Sequence, residues 1–205
     1  MCMNNSMCGC SSNNNECENF GPFVAVDAAC ITTPAPTTGS IIAYSSGVTP
    51  VILVSAISGL ITTVSLVGFG TAVPGITLAG INIDLTAVGA TEAFTVPRPG
   101  TITSISATIA STVVLAVAGT ATVRAQIYRA VPGSNVFSPT AAFVDLLPSL
   151  PLLSIIAGTI ASGNADVSVP VNTGDRLLMV FSMTTTGATA ITTFAGNASA
   201  GINIV

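Results

Sequence analysis

Five cysteines, Cys2, Cys8, Cys10, Cys17 and Cys30, lie within the first thirty residues of this 205-residue chain, and none follows. A thiol set of this kind has three possible chemistries: disulfides to another chain, a metal site, or none at all. An odd number cannot pair off completely within one chain, which favours partners outside it. Zinc sites pair Cys-x2-4-Cys motifs with further ligands. Here Cys8-Gly-Cys10 is tighter than that and the sequence has no His. All five cysteines are therefore candidates for intermolecular disulfides, and no metal or other cofactor is expected. Such a bond would tether neighbouring subunits and raise the effective concentration of one near the next, so that weak non-covalent contacts persist.

Catalytic chemistry has little to draw on. Without His or Lys the usual general bases and the Schiff-base amine are missing, and no cysteine has an imidazole partner. Asp84, Glu92, Asp145, Asp166 and Asp175 could in principle supply a carboxylate pair, but nothing in their spacing places two on one face. Their expected roles are in turns and at strand ends, with Asp175 capping a turn or forming an ion pair beside Arg176. Asn82 and Asp84 lack the Asp-x-Asp-x-Asn-Gly loop of a calcium site. Asn197-Ala-Ser199 matches a glycosylation acceptor by pattern, a short and common one. No enzymatic activity is expected.

Charged residues are 6% of the chain, against about a quarter in ordinary soluble proteins. With four Arg, no Lys and a net charge of -4, the basic footprint of a nucleic-acid binder is absent. A membrane-spanning helix is not expected. The best candidate, Val48 to Gly68, is interrupted by Pro50, Gly59, Thr62, Thr63 and Ser65. A membrane barrel would want aromatic girdles, and Tyr44 and Tyr128 with no Trp cannot make them. The first residues have neither the basic start nor the apolar run of a secretory signal. Weakly charged surfaces repel one another little, so association with further copies of the chain is expected.

These residues must be positioned by a simple architecture. Residues 1–39 read as a polar, Asn- and Ser-rich connector ending in a Pro/Thr linker, and residues 40–205 as one β domain. Within that domain short β-branched runs alternate with Gly, Pro, Asn and Ser turns, the pattern of an antiparallel sandwich or barrel. Ala121, Val123, Ala125 and Ile127 alternate with polar neighbours, as do Ile105, Ala107 and Ile109, and Val167, Val169 and Val171 before a turn at Asn172–Asp175. Ile76 and Leu78 differ in parity from Ile81 and Ile83, which predicts a β-bulge at Gly80. Val51 to Val54, Ser65 to Phe69 and Leu177 to Phe181 read as buried on both faces, by sandwiching or by a neighbouring subunit.

Gly68-Phe69-Gly70, the run from Phe94-Thr95-Val96-Pro97-Arg98-Pro99-Gly100 to Ala107, and Thr173-Gly174-Asp175-Arg176-Leu177 to Ser182 carry a family likeness. Together they resemble the C-terminal domain of the Bacillus collagen-like exosporium glycoproteins, B type, from about Ser40 to the end. The resemblance implies a jelly roll of the tumour-necrosis-factor type, a trimer or other homo-oligomer, and an address on the endospore surface. The chain departs from that family in carrying the cysteine arm where the collagen stalk would be. The role this combination implies is that of a structural, self-assembling spore appendage, exosporium or coat subunit, its partners being itself and other spore-coat proteins. The alternative expectation is a trimeric spore-surface module that binds carbohydrate or protein. Synthesis in the mother cell and release by its lysis would bring such a protein to the surface without an export signal.

Overall fold

A computed structural model describes residues 39–56, 60–88, 92–112, 119–152, 155–188 and 190–205. All regular structure among them is β: β1 Ser40–Ser45, β2 Val51–Ser55, β3 Ile61–Val67, β4 Ala72–Thr77, β5 Ile83–Asp84, β6 Phe94–Thr95, β7 Gly100–Ser111, β8 Thr120–Ala130, β9 Val136–Asp145, β10 Leu150–Pro151, β11 Ile160–Val171, β12 Arg176–Thr186 and β13 Thr192–Ile204. No described helix is long and apolar enough to cross a membrane.

The hydrogen-bonded order is β11-β7-β13-β2-β3-β12-β8-β9-β5, every named pairing antiparallel. This path folds over at β2 and β3 into two layers. The front sheet holds β11, β7 and β13, with β1 on the far edge of β13; the back sheet holds β3, β12, β8 and β9. Along the chain, β7 leads from front to back, β9 through β10 to β11 from back to front, and β11 to β12 to β13 crosses twice more. Pairing between strands distant in sequence, with repeated crossings between two packed sheets, is the jelly roll.

Period-two strands explain why the layers pack. Ile105, Ala107 and Ile109 of β7 and Val123, Ala125 and Ile127 of β8 are buried and meet in the core between the sheets, while their alternate residues face outward. Burying a side chain of this size is worth about 1.5–3 kcal/mol, so the core outweighs any single polar contact. At the corner where the sheets part, the ladder between β2 and β3 shifts register. There the buried Ser65 hydroxyl accepts the Ile52 N–H at 2.9 Å and donates to the Ile52 carbonyl at 2.8 Å, replacing a backbone pair.

Part of the back sheet is covered on both faces. Leu177, Met179 and Phe181 of β12 face the core, whereas Leu178 and Val180 face a second apolar layer with Leu66, Ile83, Tyr128 and Phe137. That layer is closed by the excursion from β4 to β6, so the double burial of Leu177 to Phe181 comes from the chain's own sandwiching. The other two doubly buried readings are corrected in part. Val51 and Leu53 are buried but Ile52 and Val54 only half so, and Phe69 is 61% exposed because its strand has ended at Val67. Gly80 is not a bulge either. Ala79 and Asn82 exchange backbone bonds across a two-residue reversal in which Gly80 takes φ +70, so the parity change is a hairpin turn.

Candidate functional site

Each charged side chain of the jelly roll with a resolved contact is spent on holding a turn or a strand pair. Asp175, 2% exposed, accepts the Asn172 N–H at 2.8 Å and lies 3.8 Å from Arg129, so its ion-pair partner is Arg129 instead of the adjacent Arg176. With Gly174 at φ +84 it closes the expected Asn172–Asp175 turn. Arg176 stacks over Phe137 and donates to Ser134 O and Asn135 Oδ1. Arg124 donates to Asp145 through two nitrogens at 2.7 and 2.8 Å and lies over Phe143; these bonds to the carboxylate raise the guanidinium's pKa further.

The remaining acids are equally dispersed. Glu92 takes a bond from the Thr71 hydroxyl, and Asp84 takes the Thr86 hydroxyl and N–H, whose bonds hold its carboxyl below the usual carboxylate range. Asp166 lies exposed on β11. Among the described residues no group of three or more His, Cys, Asp or Glu could hold a metal ion. Tyr44 is buried against Phe69 with no hydrogen-bond partner for its hydroxyl, and burial pushes its pKa upward. The cysteines Cys2, Cys8, Cys10, Cys17 and Cys30 lie outside the described residues.

What the jelly roll presents instead is a surface. Registers across the front sheet align Ser45, Ser199, Thr108 and Ser162 in one row, Ala43, Gly201, Ser106 and Asn164 in the next, and Ile41, Asn203, Ser104 and Asp166 in a third. These belong to the outward phase of each strand, and their side chains are short and uncharged apart from Ile41 at one edge and Asp166 at the other. The period-two reading showed the polar phase of β7 from Ser104 to Thr108. It missed that β1, β13 and β11 extend the same face, because only the register reveals that. A groove beside β8 and β9, lined by Arg129, Val131, Ser134, Val136, Ser138, Pro139 and Thr140, is a lesser candidate. Its guanidinium already donates to Pro170 O at 2.9 Å and faces Asp175.

No family model matches the chain. It is 36% identical over 182 residues to collagen-like protein 1 of Acanthamoeba polyphaga mimivirus, an alignment covering 83% of this chain and 19% of that protein. The chain thus spans about a fifth of the length of this relative. Among solved structures, the Eiger TNF of S. frugiperda is similar over 82% of this chain and 94% of its own, with a TM-score of 0.36 and 7% identity.

Proposed function

We propose that this chain is a structural, self-assembling subunit of an endospore surface layer or appendage, in which jelly rolls associate through their front sheets and disulfides of the N-terminal arm lock the assembly. The observation that carries the reading is the outward face of β1, β13, β7 and β11, four paired strands wide and bearing one ionisable side chain, Asp166. Bringing two such faces together desolvates hydroxyls and amides that can re-pair across the contact, and it buries almost no charge. The spore address is supported by the resemblance of Phe94 to Ala107 and Thr173 to Ser182 to the exosporium glycoproteins. A structural role is supported by the collagen-like name of the viral relative.

The arm's part in this reading is chemical. Five thiols on a segment that enters the jelly roll at Ser40 can join neighbours covalently once weak contacts have placed them side by side. The expected result with the purified full chain is a ladder of species that survives hot detergent, collapses at least in part with strong reductant, and disappears when all five cysteines are replaced by Ser. A chain that stays monomeric in oxidising buffer with every thiol still titratable overturns the proposal.

A further inference from the structure

The front sheet has two edges, β11 and β1, and the chain treats them differently. The outer edge of β11 is guarded. Ser162 exchanges backbone bonds with Leu147, Asp166 adds a charge, and the ladder to β7 shifts register between Asp166 and Val169. Pro170 has no N–H to offer, and its carbonyl already takes the Arg129 guanidinium at 2.9 Å. Charges, bulges, prolines and covering loops are the devices by which a sheet keeps further strands off its edge.

The outer edge of β1 is open. The Ser46 N–H donates to Ala198 O in continuation of the β1–β13 register, so Ser40, Ile42 and Tyr44, of the same parity, turn their backbone groups to β13. Ile41, Ala43 and Ser45 turn theirs away. Ser45 is taken, its N–H donating to Gly68 O and its carbonyl accepting the Gly70 N–H. The N–H and C=O of Ile41 and of Ala43 have no protein partner among the described residues. The run Ser40–Ser45 holds no charged residue, no Pro and no register shift, and the Ile41 and Ala43 side chains are both exposed. Arg98 reaches Ser40 Oγ at 3.5 Å, at the start of the strand, and bonds none of the four open groups.

We infer that this edge is a site of strand addition whose occupant is the β1 edge of a second copy, running antiparallel about a two-fold axis at Ile42. Alternating open donors and acceptors at strand spacing select an extended strand as the occupant. The register selects β1 itself. With Ile41 of one copy opposite Ala43 of the other, both pairs exchange both bonds and all four open groups on each side are satisfied. The same register sets the large Ile41 beside the small Ala43 on the outward face, twice. On the inward face it brings Ile42 against Ile42, each half-buried in the single subunit. The guarded edge of β11 offers β1 no head-to-tail mate in this sheet, and an uncharged strand meets its own copy without like-charge repulsion. The two front sheets become one, joined through β1. This contact uses neither the front faces nor the thiols, and with so few residues a side it belongs to the weak, concentration-dependent class.

The test uses the full-length chain in reductant: the wild type, S106E on the front face, and two edge variants, I41K and A43P. Proline at 43 removes an outward N–H and no bond to β13, and lysine at 41 guards an edge by its charge. Circular dichroism checks that each variant folds. The readouts are hydrogen exchange at the amides of residues 41 and 43 and the sedimentation mass, both followed from dilute to concentrated protein. In the wild type and in S106E both amides are expected to slow on concentration, and S106E to reach twice the monomer mass. In I41K and A43P the edge amides that remain are expected to keep their dilute rate. Free exchange at every concentration overturns the edge pairing and leaves the front-face reading to the comparison of wild-type and S106E masses. Slow exchange that does not depend on concentration assigns the edge to the chain's own residues and overturns the pairing. Slowing that survives in both edge variants also overturns it, because the contact then lies elsewhere. A wild type no heavier than S106E overturns the front-face reading alone.

Discussion

The front and back sheets are built from strands of the same kind, yet among the described residues the outward face of the front sheet is bare, whereas that of the back sheet is covered over Leu178, Val180 and Tyr128 and open only around Arg124, Phe143 and Asp145. In the back sheet, β12 carries large apolar side chains in both phases, Leu177, Met179 and Phe181 one way and Leu178 and Val180 the other. The chain sends the β4–β6 excursion across to cover the second set. In the front sheet, β7, β13 and β11 place apolar residues inward and mostly Ser, Thr, Asn, Ala or Gly outward, with Ile160, Asp166 and Pro170 of β11 the exceptions, and none of the chain's own named strands covers that face. The difference separates two uses of an alternating strand. A doubly apolar strand demands a cover and becomes part of the fold. A strand with a short, polar, uncharged phase leaves a surface that a further copy can use.

Matched charge insertions break this comparison most sharply. Val180→Asp places an unpaired carboxylate between the back sheet and its cover, at a site essentially out of contact with water. It should cost about 4 kcal/mol or more, enough to unfold a domain of ordinary stability, read as a collapse of the melting transition. Ser106→Asp puts the same group on the exposed front face and should change stability by no more than about 0.5 kcal/mol. Its effect belongs in the assembled mass. If both variants melted like the wild type, the second layer would not be part of the core.

A smaller effect is expected at the corner that lets the two sheets differ. Ser65→Ala leaves both the N–H and the carbonyl of Ile52 without their hydroxyl partner, a loss of about 1–3 kcal/mol measurable by denaturant titration. Ser65→Thr keeps the hydroxyl and should recover part of that loss, since Ser65 is buried and the added methyl must find space.

The strand class is legible in the sequence because period two survives in single strands. Ile105–Ile109, Ala121–Ile127 and Val167–Val171 are each buried or half-buried on the expected parity. The Asn172–Asp175 turn is equally plain, since a Gly that can take positive φ stands next to a capping carboxylate. What stays hidden depends on pairs far apart in the chain or on where a strand stops. Gly80 changes parity in a bulge and in a hairpin alike, and only the bond between Ala79 and Asn82 separates them. Phe69 looks like the continuation of a buried strand until β3 is seen to end at Val67. The front face needs β1, β13, β7 and β11 in register, with partners as far apart in the chain as Ser45 and Ser199, and that is not a local property of composition.

The smallest expected effect concerns the anchoring of the cover itself. β5 pairs with β9 at Ile83–Phe137, and the turn after it is held by Asp84, whose Oδ1 accepts the Thr86 hydroxyl at 2.6 Å and the Thr86 N–H at 2.9 Å. Both bonds stabilise the charged carboxylate, the hydroxyl's more strongly, so the folded pKa lies below the ordinary value. The sign comes from linkage. The stabilisation is fully present above the unfolded value, near about 3.9, and is lost as the pH falls through the lower folded value. An NMR titration of the Asp84 carboxyl should therefore give a midpoint below that of an unstructured Asp. Thr86→Val should move the midpoint upward by removing the larger of the two bonds, while Thr86→Ser should leave it low. A Thr86→Val midpoint identical to the wild type's would mean that the turn owes nothing to this hydroxyl. The excursion would then be anchored by the β5–β9 pairing and by the burial of Ile83 and Leu85.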